Sequence, residues 1–184
     1  MQTTPCDVWN EVLAALEALY RDLERDTRRL DELHRGRLTC GEGCTFCCVD
    51  NLTVHEVEAE NIRRHHADLL ATGTPNPEGA CAFLDEKGAC RIYAHRPYVC
   101  RTQGYPLRWL AEGGDGDMVE WRDICPLNED GRPIQELLPE DCWTVGPVEE
   151  RLAELQLEAG GRKLTRVRLR DLFLTKPAPE HDDP

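Results

Sequence analysis

Four thiols stand close together in the segment Cys40-Gly41-Glu42-Gly43-Cys44-Thr45-Phe46-Cys47-Cys48. Thiolates three positions apart in a turn reach one ion at the roughly 2.3 Å of a zinc–sulfur bond, and the same spacing grips an iron–sulfur cluster. Cys44 and Cys47 have that spacing, and Gly41 and Gly43 leave room for a tight loop. Cys47 and Cys48 are neighbours, and in an extended backbone successive side chains point to opposite sides. Either they serve different sites, or a polynuclear cluster takes one and holds the other in reserve. Four further thiols follow in separate local contexts: Cys81 and Cys90 on either side of a turn, Cys100 after Pro97, and Cys125 before Pro126. Eight thiolates fill two four-ligand sites, or one cluster plus a redox pair, and the spacing leaves both open. Arg96 and Arg101 bracket Cys100, where guanidinium charge and a helix N-terminus would favour its thiolate. Cys6 and Cys142 fall outside the pattern and read as ordinary buried thiols.

The elements that must position these residues are legible from periodicity and turn chemistry. Val12, Leu16, Leu19, Leu23, Leu30 and Leu33 mark one amphipathic helix over residues 7–35, with Asp26 or Thr27 where one more apolar residue would fit. Thr53-Val54-His55-Glu56 reads as a capping box opening a helix from Val54 to about Leu70, which the segment Gly73-Thr74-Pro75-Asn76-Pro77 ends. Asp85-Glu86-Lys87-Gly88 turns a short hairpin that would bring Cys81 near Cys90, and Pro97 opens a short helix carrying Cys100. Tyr105–Glu112 and Asp117–Asp123 form a second hairpin around Gly113-Gly114-Asp115-Gly116, with Leu107 and Trp109 on one face. A late helix over Pro147–Ala159 and a strand over Leu164–Leu169 complete a C-terminal segment at 145–174, and residues 176–184 read as a disordered tail. The expected architecture is one small α+β domain at 1–175, with its cysteine core at 40–125.

Acidic residues outnumber basic ones 35 to 22, a net charge of −13 that argues against nucleic acid and anionic lipid as partners. No window approaches the roughly 18 consecutive apolar residues of a membrane span, and the start lacks a basic n-region and an apolar h-region. We therefore expect a soluble, cytoplasmic protein. Ten cysteines in such a chain indicate metal or redox chemistry rather than a disulfide scaffold. The basic groups Arg63-Arg64-His65-His66 and Arg166, Arg168, Arg170 read as solvated faces, and His55 as a chance neighbour of the cysteine loop rather than a ligand. No phosphate-binding glycine loop and no HExxH pair is present.

Taken together, Cys40-x3-Cys44-x2-Cys47-Cys48, Val54-His55-Glu56, Cys81-Ala82-Phe83-Leu84, Gly88-Ala89-Cys90-Arg91-Ile92-Tyr93 and Arg96-Pro97-x2-Cys100-Arg101 resemble the CxxCxxCC, or YkgJ-type, cysteine-cluster family. This chain has three residues rather than two between its first pair of cysteines. The resemblance covers roughly Cys40 to Cys125 and implies zinc or iron chelation. It extends distantly to the cysteine domain of flagellin lysine N-methylase, which carries an iron–sulfur cluster. Cys40-x3-Cys44-x-Phe46-Cys47 also fits the loop of radical S-adenosylmethionine enzymes, but their chemistry rests on a partial (β/α) barrel of about 200 residues after the motif. The chain beyond Cys47 is shorter than that and reads as hairpins and loops.

The expected function is metal binding through Cys40, Cys44, Cys47, Cys48, Cys81, Cys90, Cys100 and Cys125, with an iron–sulfur cluster (4Fe-4S foremost) or zinc as the cofactor. Two alternatives stand beside it: a cluster-dependent modifying enzyme, lysine methylase-like or redox, and a thiol redox switch. A protein partner or substrate stays unspecified.

Overall fold

Leu13, Leu16, Tyr20, Leu23, Thr27 and Leu30 recur at alternating spacings of three and four, which lines them along one face of a helix. That helix, α1 (Pro5–Leu33), opens the computed structural model, which describes residues 5–41, 43–160 and 164–173. All six of these residues are buried, and Thr27 fills the gap in the apolar stripe by turning its hydroxyl onto the Glu24 carbonyl at 3.4 Å. Leu33, expected on the stripe, is 50 % exposed. The buried face passes instead to His34, whose Nε2 meets the Asp141 carbonyl at 2.7 Å, and to Arg37, which donates to the Asp130 carbonyl at 3.0 Å.

The capping box expected at Thr53–Glu56 does not form. Thr53–His55 is strand β1, and helix α2 (Glu56–His65) takes its cap two residues later, where Glu58 Oε2 accepts the His55 N–H at 3.1 Å. A distant strand overrides the local signal: β1 pairs antiparallel with β5 (Arg166–Arg168), Val54 facing Val167. The helix also breaks at His66 before α3 (Ala67–Thr72), short of one continuous run.

After the cysteine-bearing turns and the five-residue α4 (Tyr98–Thr102), strands β2 (Leu107–Glu112) and β3 (Met118–Asp123) form the second hairpin, with Trp109 opposite Trp121. The turn rests on Gly116, whose φ of +87° only glycine adopts without strain. Strand β4 (Trp143–Thr144) adds parallel to β2, giving the order β3-β2-β4. Helix α5 (Pro147–Glu158) starts on a proline at its first turn and ends before Gly160 at φ +87°. The arrangement is α+β, as expected. The tail at 176–184 lies outside the described residues, and among those described no helix is long and apolar enough to cross a membrane.

Two apolar cores result. One joins α1, α2, α4 and α5 through Leu16, Tyr20, Val57, Tyr98, Leu152 and Leu155. The other gathers Val54, Ile62, Phe83, Ile92, Leu169 and Leu172, with Cys81 buried in it and Cys48 and Cys90 packed against it. Three of the cysteines therefore meet the second core.

At the surface, His65 and His95 stack at 3.9 Å between ring centroids, and His66 Nε2 lies 3.0 Å from His95 Nδ1. This ties the end of α2 to the 3-10 turn Tyr93–His95. Burial lowers the affinity of His66 and His95 for a proton, and the neighbouring imidazoles, with Arg101 for His95, lower it further. Because the unfolded chain then binds more protons, stability should rise with pH through the window below the ordinary histidine value of about 6.5 and fall on acidification through it. Urea titrations at several pH values should show this slope in the wild type and a smaller one in His95→Asn.

Candidate metal centre

The loop bearing the first four thiols is built from two consecutive turns. Cys44 N–H bonds to the Gly41 carbonyl at 3.0 Å, and Cys48 N–H to the Thr45 carbonyl at 2.9 Å. The second turn corrects the expectation that Cys47 and Cys48 point apart. Folded over Thr45–Cys48 rather than extended, the backbone lets the two thiols hydrogen-bond to each other. Cys48 donates, which pulls the Cys47 thiol well below its ordinary value and pushes Cys48 far up.

Cys81, Cys90 and Cys100 come from three further segments of the chain. Cys81 N–H donates to the Cys48 carbonyl at 2.8 Å. The expected first hairpin shrinks to a single bridge, Leu84 to Cys90, closed by Asp85, whose carboxylate accepts the Lys87 and Ala89 N–H groups at 2.8 Å each. Gly88 there has φ +79°, and a Cβ on it would meet the Thr45 methyl at 3.1 Å, so this turn packs on the cysteine loop. Cys100 comes from α4, which starts at Tyr98, with Pro97 just outside it. Burial pushes its thiol far up, and Cys81, Cys90 and Cys47 raise it further. Cys48 is acted on by Cys47, Cys81 and Cys100, and Cys81 by Cys90.

The bracketing arginines do not serve Cys100 as expected. Arg96 lies over the Tyr93 ring at 3.9 Å and acts on Cys90, together with Arg91, against the rise that burial imposes there. Arg101 is buried over the Tyr20 ring at 4.1 Å and spends its donors on Glu24 and on the Ala94 and Arg96 carbonyls. It fastens α4 to α1 instead of charging a thiol.

Cys40 is exposed, and Cys44 and Cys125 are half-buried. Asn128, with none of its surface exposed, donates from Nδ2 to Cys40 Sγ at 3.2 Å and to the Gly104 carbonyl at 2.8 Å. Its Oδ1 accepts the Thr39 N–H and hydroxyl at 2.9 Å each, and its own N–H bonds to the Cys125 carbonyl at 2.8 Å. One residue thus holds Cys40 with its side chain and closes the Cys125 turn with its backbone N–H. Burial raises the Cys40 thiol, the Asn128 hydrogen bond opposes this, and Cys44, Cys125 and Cys47 add to the rise. Sequence reasoning did not find Asn128; an asparagine after a Cys-Pro turn carries no periodic or motif signal.

Gly104 closes the same corner. Its φ is +100°, and a Cβ there would stand 2.9 Å from Cys40 Sγ and 3.3 Å from Asn128 Nδ2. Gly104→Ala should therefore cost about 1–3 kcal/mol in backbone strain alone and displace Cys40. Denaturant unfolding against Gly36→Ala, where a Cβ meets nothing within 4 Å, checks this.

All ten cysteines are free thiols. Cys6 is exposed on α1, not buried, because it sits in the first turn off the apolar stripe. Cys142 is buried, and the charged groups acting on it are Arg122, Arg108, Asp141 and Glu120. His55 caps α2 with Arg166 3.1 Å from its Nε2, and its charged neighbours are Arg166, Glu58 and Glu149. The basic groups are engaged: Arg63 and Arg64 with Glu56 and Glu60, Arg168 with Asp171, Arg170 with Asp50. Arg168 and Arg170 also line a shallow cleft of about 550 Å³ with Val49, Asp50, Asn51, Glu78 and Gly79, just past Cys48. Arg170 there holds the Asn76, Pro77 and Ala80 carbonyls as well, which makes it a clamp on the loop before Cys81.

Among the described residues, no three Cys, His, Asp or Glu side chains converge on a single ion-sized point. The chemistry of the eight thiols fits a thiophilic metal: soft donors, one held by an inward N–H of a fully buried amide, which is the partner a thiolate ligand accepts.

Compared with known proteins, residues 39–126 match the family CxxCxxCC, described as a "putative zinc- or iron-chelating domain". No curated protein and no solved structure matches the chain.

Proposed function

We propose that this chain, residues 39–126 of which match the CxxCxxCC family, is a metal-binding protein whose cysteine thiolates hold an iron–sulfur cluster, with zinc as the alternative occupant. The observation that supports this is that Cys48, Cys81 and Cys90, remote in sequence, lie in or against the same apolar core, with the Cys81 N–H on the Cys48 carbonyl at 2.8 Å. A cluster is favoured over a lone zinc ion because the thiols outnumber the four donors of one tetrahedral site. A bound cluster would supply electron transfer or a Lewis-acid iron; zinc would supply rigidity. The chain's own part is to bury the thiols, to donate hydrogen bonds to them and to keep water from their inner side.

Two aromatic residues near cysteines in the sequence are exposed, Phe46 at 58 % beside Cys47 and Tyr93 at 64 % three residues after Cys90. This supports a role in which the centre shapes a surface for a protein partner inside the cell, and the engaged arginines and the charge of −13 weigh against nucleic acid.

Metal and acid-labile sulfide analysis, with a visible spectrum, on protein purified under nitrogen tests the reading. Iron with sulfide and a brown chromophore is the expected result. Colourless protein with bound zinc would move the occupant to zinc. Metal-free protein with an oxidisable Cys47–Cys48 pair would replace metal binding by a thiol switch.

A further inference from the structure

We infer that strand β3 is an interaction edge that pairs antiparallel with β3 of a second copy of this chain, with Trp121 on the two-fold axis. The inference goes beyond the metal-binding reading and does not depend on what the thiols hold.

In the sheet order β3-β2-β4, β3 has a neighbouring strand on one side alone. The Gly113 N–H donates to the Asp117 carbonyl at 2.7 Å, and bonded pairs alternate along an antiparallel ladder, so the next ones are Ala111–Val119, Trp109–Trp121 and Leu107–Asp123. The far side of β2 agrees, because the Val145 N–H bonds to the Arg108 carbonyl at 2.9 Å and Arg108 therefore faces β4. Met118, Glu120 and Arg122 thus turn their backbone N–H and C=O away from β2, and among the described residues none of these groups has a partner. A free strand edge of this kind is a template for a further strand.

The two faces of the hairpin are unlike. On one, Glu120 accepts from Arg108 and Arg122, and Arg122 also donates to the Ile134 and Leu137 carbonyls, so the segment 134–137 lies over that face. The other face carries the pairs Trp109–Trp121 and Ala111–Val119, with Trp121 51 % and Val119 41 % exposed. Pairing through the edge leaves the first face as it is and extends the second into an apolar strip across both copies.

The residues of β3 point to a second copy as the occupant, because two-fold pairing needs a strand complementary to itself. With Trp121 opposite Trp121, Glu120 of each copy stands opposite Arg122 of the other, and these are the residues whose N–H and C=O face outward to exchange the bonds. Centring the pair on Glu120 or on Arg122 would set like charges face to face, which is destabilising, and centring it on Val119 would run it into the Gly113–Gly116 turn. The Trp121 pair falls at a non-hydrogen-bonded position, where opposing Cα atoms are about 4.5 Å apart and aromatic side chains meet closely. Val119 then faces Asp123 of the second copy.

The test is sedimentation velocity of the full chain over a series of concentrations, under nitrogen with reductant so that the exposed Cys6 and Cys40 form no disulfide, with Trp121→Lys and Val119→Lys beside the wild type. Trp121→Lys sets two like charges on the axis. Val119→Lys removes apolar area from the same face but sets each lysine opposite Asp123 of the other copy. The expected result is a concentration-dependent dimer in the wild type, loss of the dimer in Trp121→Lys at the same concentrations, and a dimer at least as strong in Val119→Lys. A wild type that stays monomeric throughout overturns the proposal and leaves the edge to a different protein. A dimer that survives Trp121→Lys overturns it by placing the contact elsewhere, and dissociation of both lysine variants overturns the register in favour of unspecific apolar association. If a variant fails to fold, amide hydrogen exchange of the wild type decides alone: the Glu120 and Arg122 N–H groups should exchange more slowly as concentration rises, and unchanged exchange there overturns the pairing.

Discussion

Stripping the metal from anaerobically prepared protein is expected to abolish cooperative unfolding of the cysteine-bearing half while leaving part of the helical signal. Between Asn76 and Cys100 the regular structure amounts to one β-bridge, one 3-10 turn and the start of α4. The second core beside it borrows Cys81 outright and leans on Cys48 and Cys90. A structural metal bound by thiolates contributes roughly 10–16 kcal/mol of apparent folding energy, as much as the 5–15 kcal/mol by which a whole domain is usually stable. The first core has no such dependence, because Leu16, Leu23, Leu152 and Leu155 meet directly between α1 and α5. Near-ultraviolet circular dichroism should therefore collapse on chelation and far-ultraviolet ellipticity should fall only in part. Identical melts before and after complete metal removal would refute this.

Glu58→Ala should be the most damaging single substitution away from the cysteines. Glu58 is 3 % exposed, and its Oε1 accepts the Tyr20 hydroxyl at 2.9 Å and the Tyr98 N–H at 2.7 Å while Oε2 accepts the His55 N–H. One carboxylate thus joins α1, the start of α4 and the cap of α2. Removing it strands three buried donors, each costing about 1–3 kcal/mol without an acceptor; allowing for relaxation, a loss of roughly 3–5 kcal/mol is expected, the range seen when a buried charge network is broken. Because α4 carries Cys100, retained metal should drop with stability. Glu58→Gln, which keeps one carbonyl acceptor, should lose less. Urea unfolding of the metal-loaded chain measures both, and a change in Glu58→Ala below about 1 kcal/mol, the mean for an arbitrary substitution, would contradict the assignment.

How far the molecule could be read from its residues depends on the range of the interactions involved. Helices α1 and α5 and the β2–β3 hairpin were legible because periodicity, an opening proline and a glycine turn act within a few residues. The stripe of α1 was misread at its end, where burial passes from Leu33 to His34 and Arg37; polar side chains take the inner face because distant carbonyls at Asp130 and Asp141 wait for them. The Thr53 capping box failed for a similar reason, since only the strand at Arg166–Arg168 could turn Thr53–His55 into β1.

At the candidate site the eight cysteines stood out by type and spacing, but the Cys81–Cys48 backbone bond, the turn over Thr45–Cys48 and the hold of Asn128 on Cys40 did not, because each of these spans segments or reverses a local rule. Arg96 and Arg101 show the converse error, in which adjacency in sequence to Cys100 suggested a role that packing on Tyr93 and Tyr20 takes away.

The most direct test of thiolate ligation is X-ray absorption at the metal edge of protein isolated under nitrogen. The account predicts a first shell of sulfur alone, at about 2.3 Å for either zinc or a cluster iron. A first shell dominated by nitrogen or oxygen would contradict it.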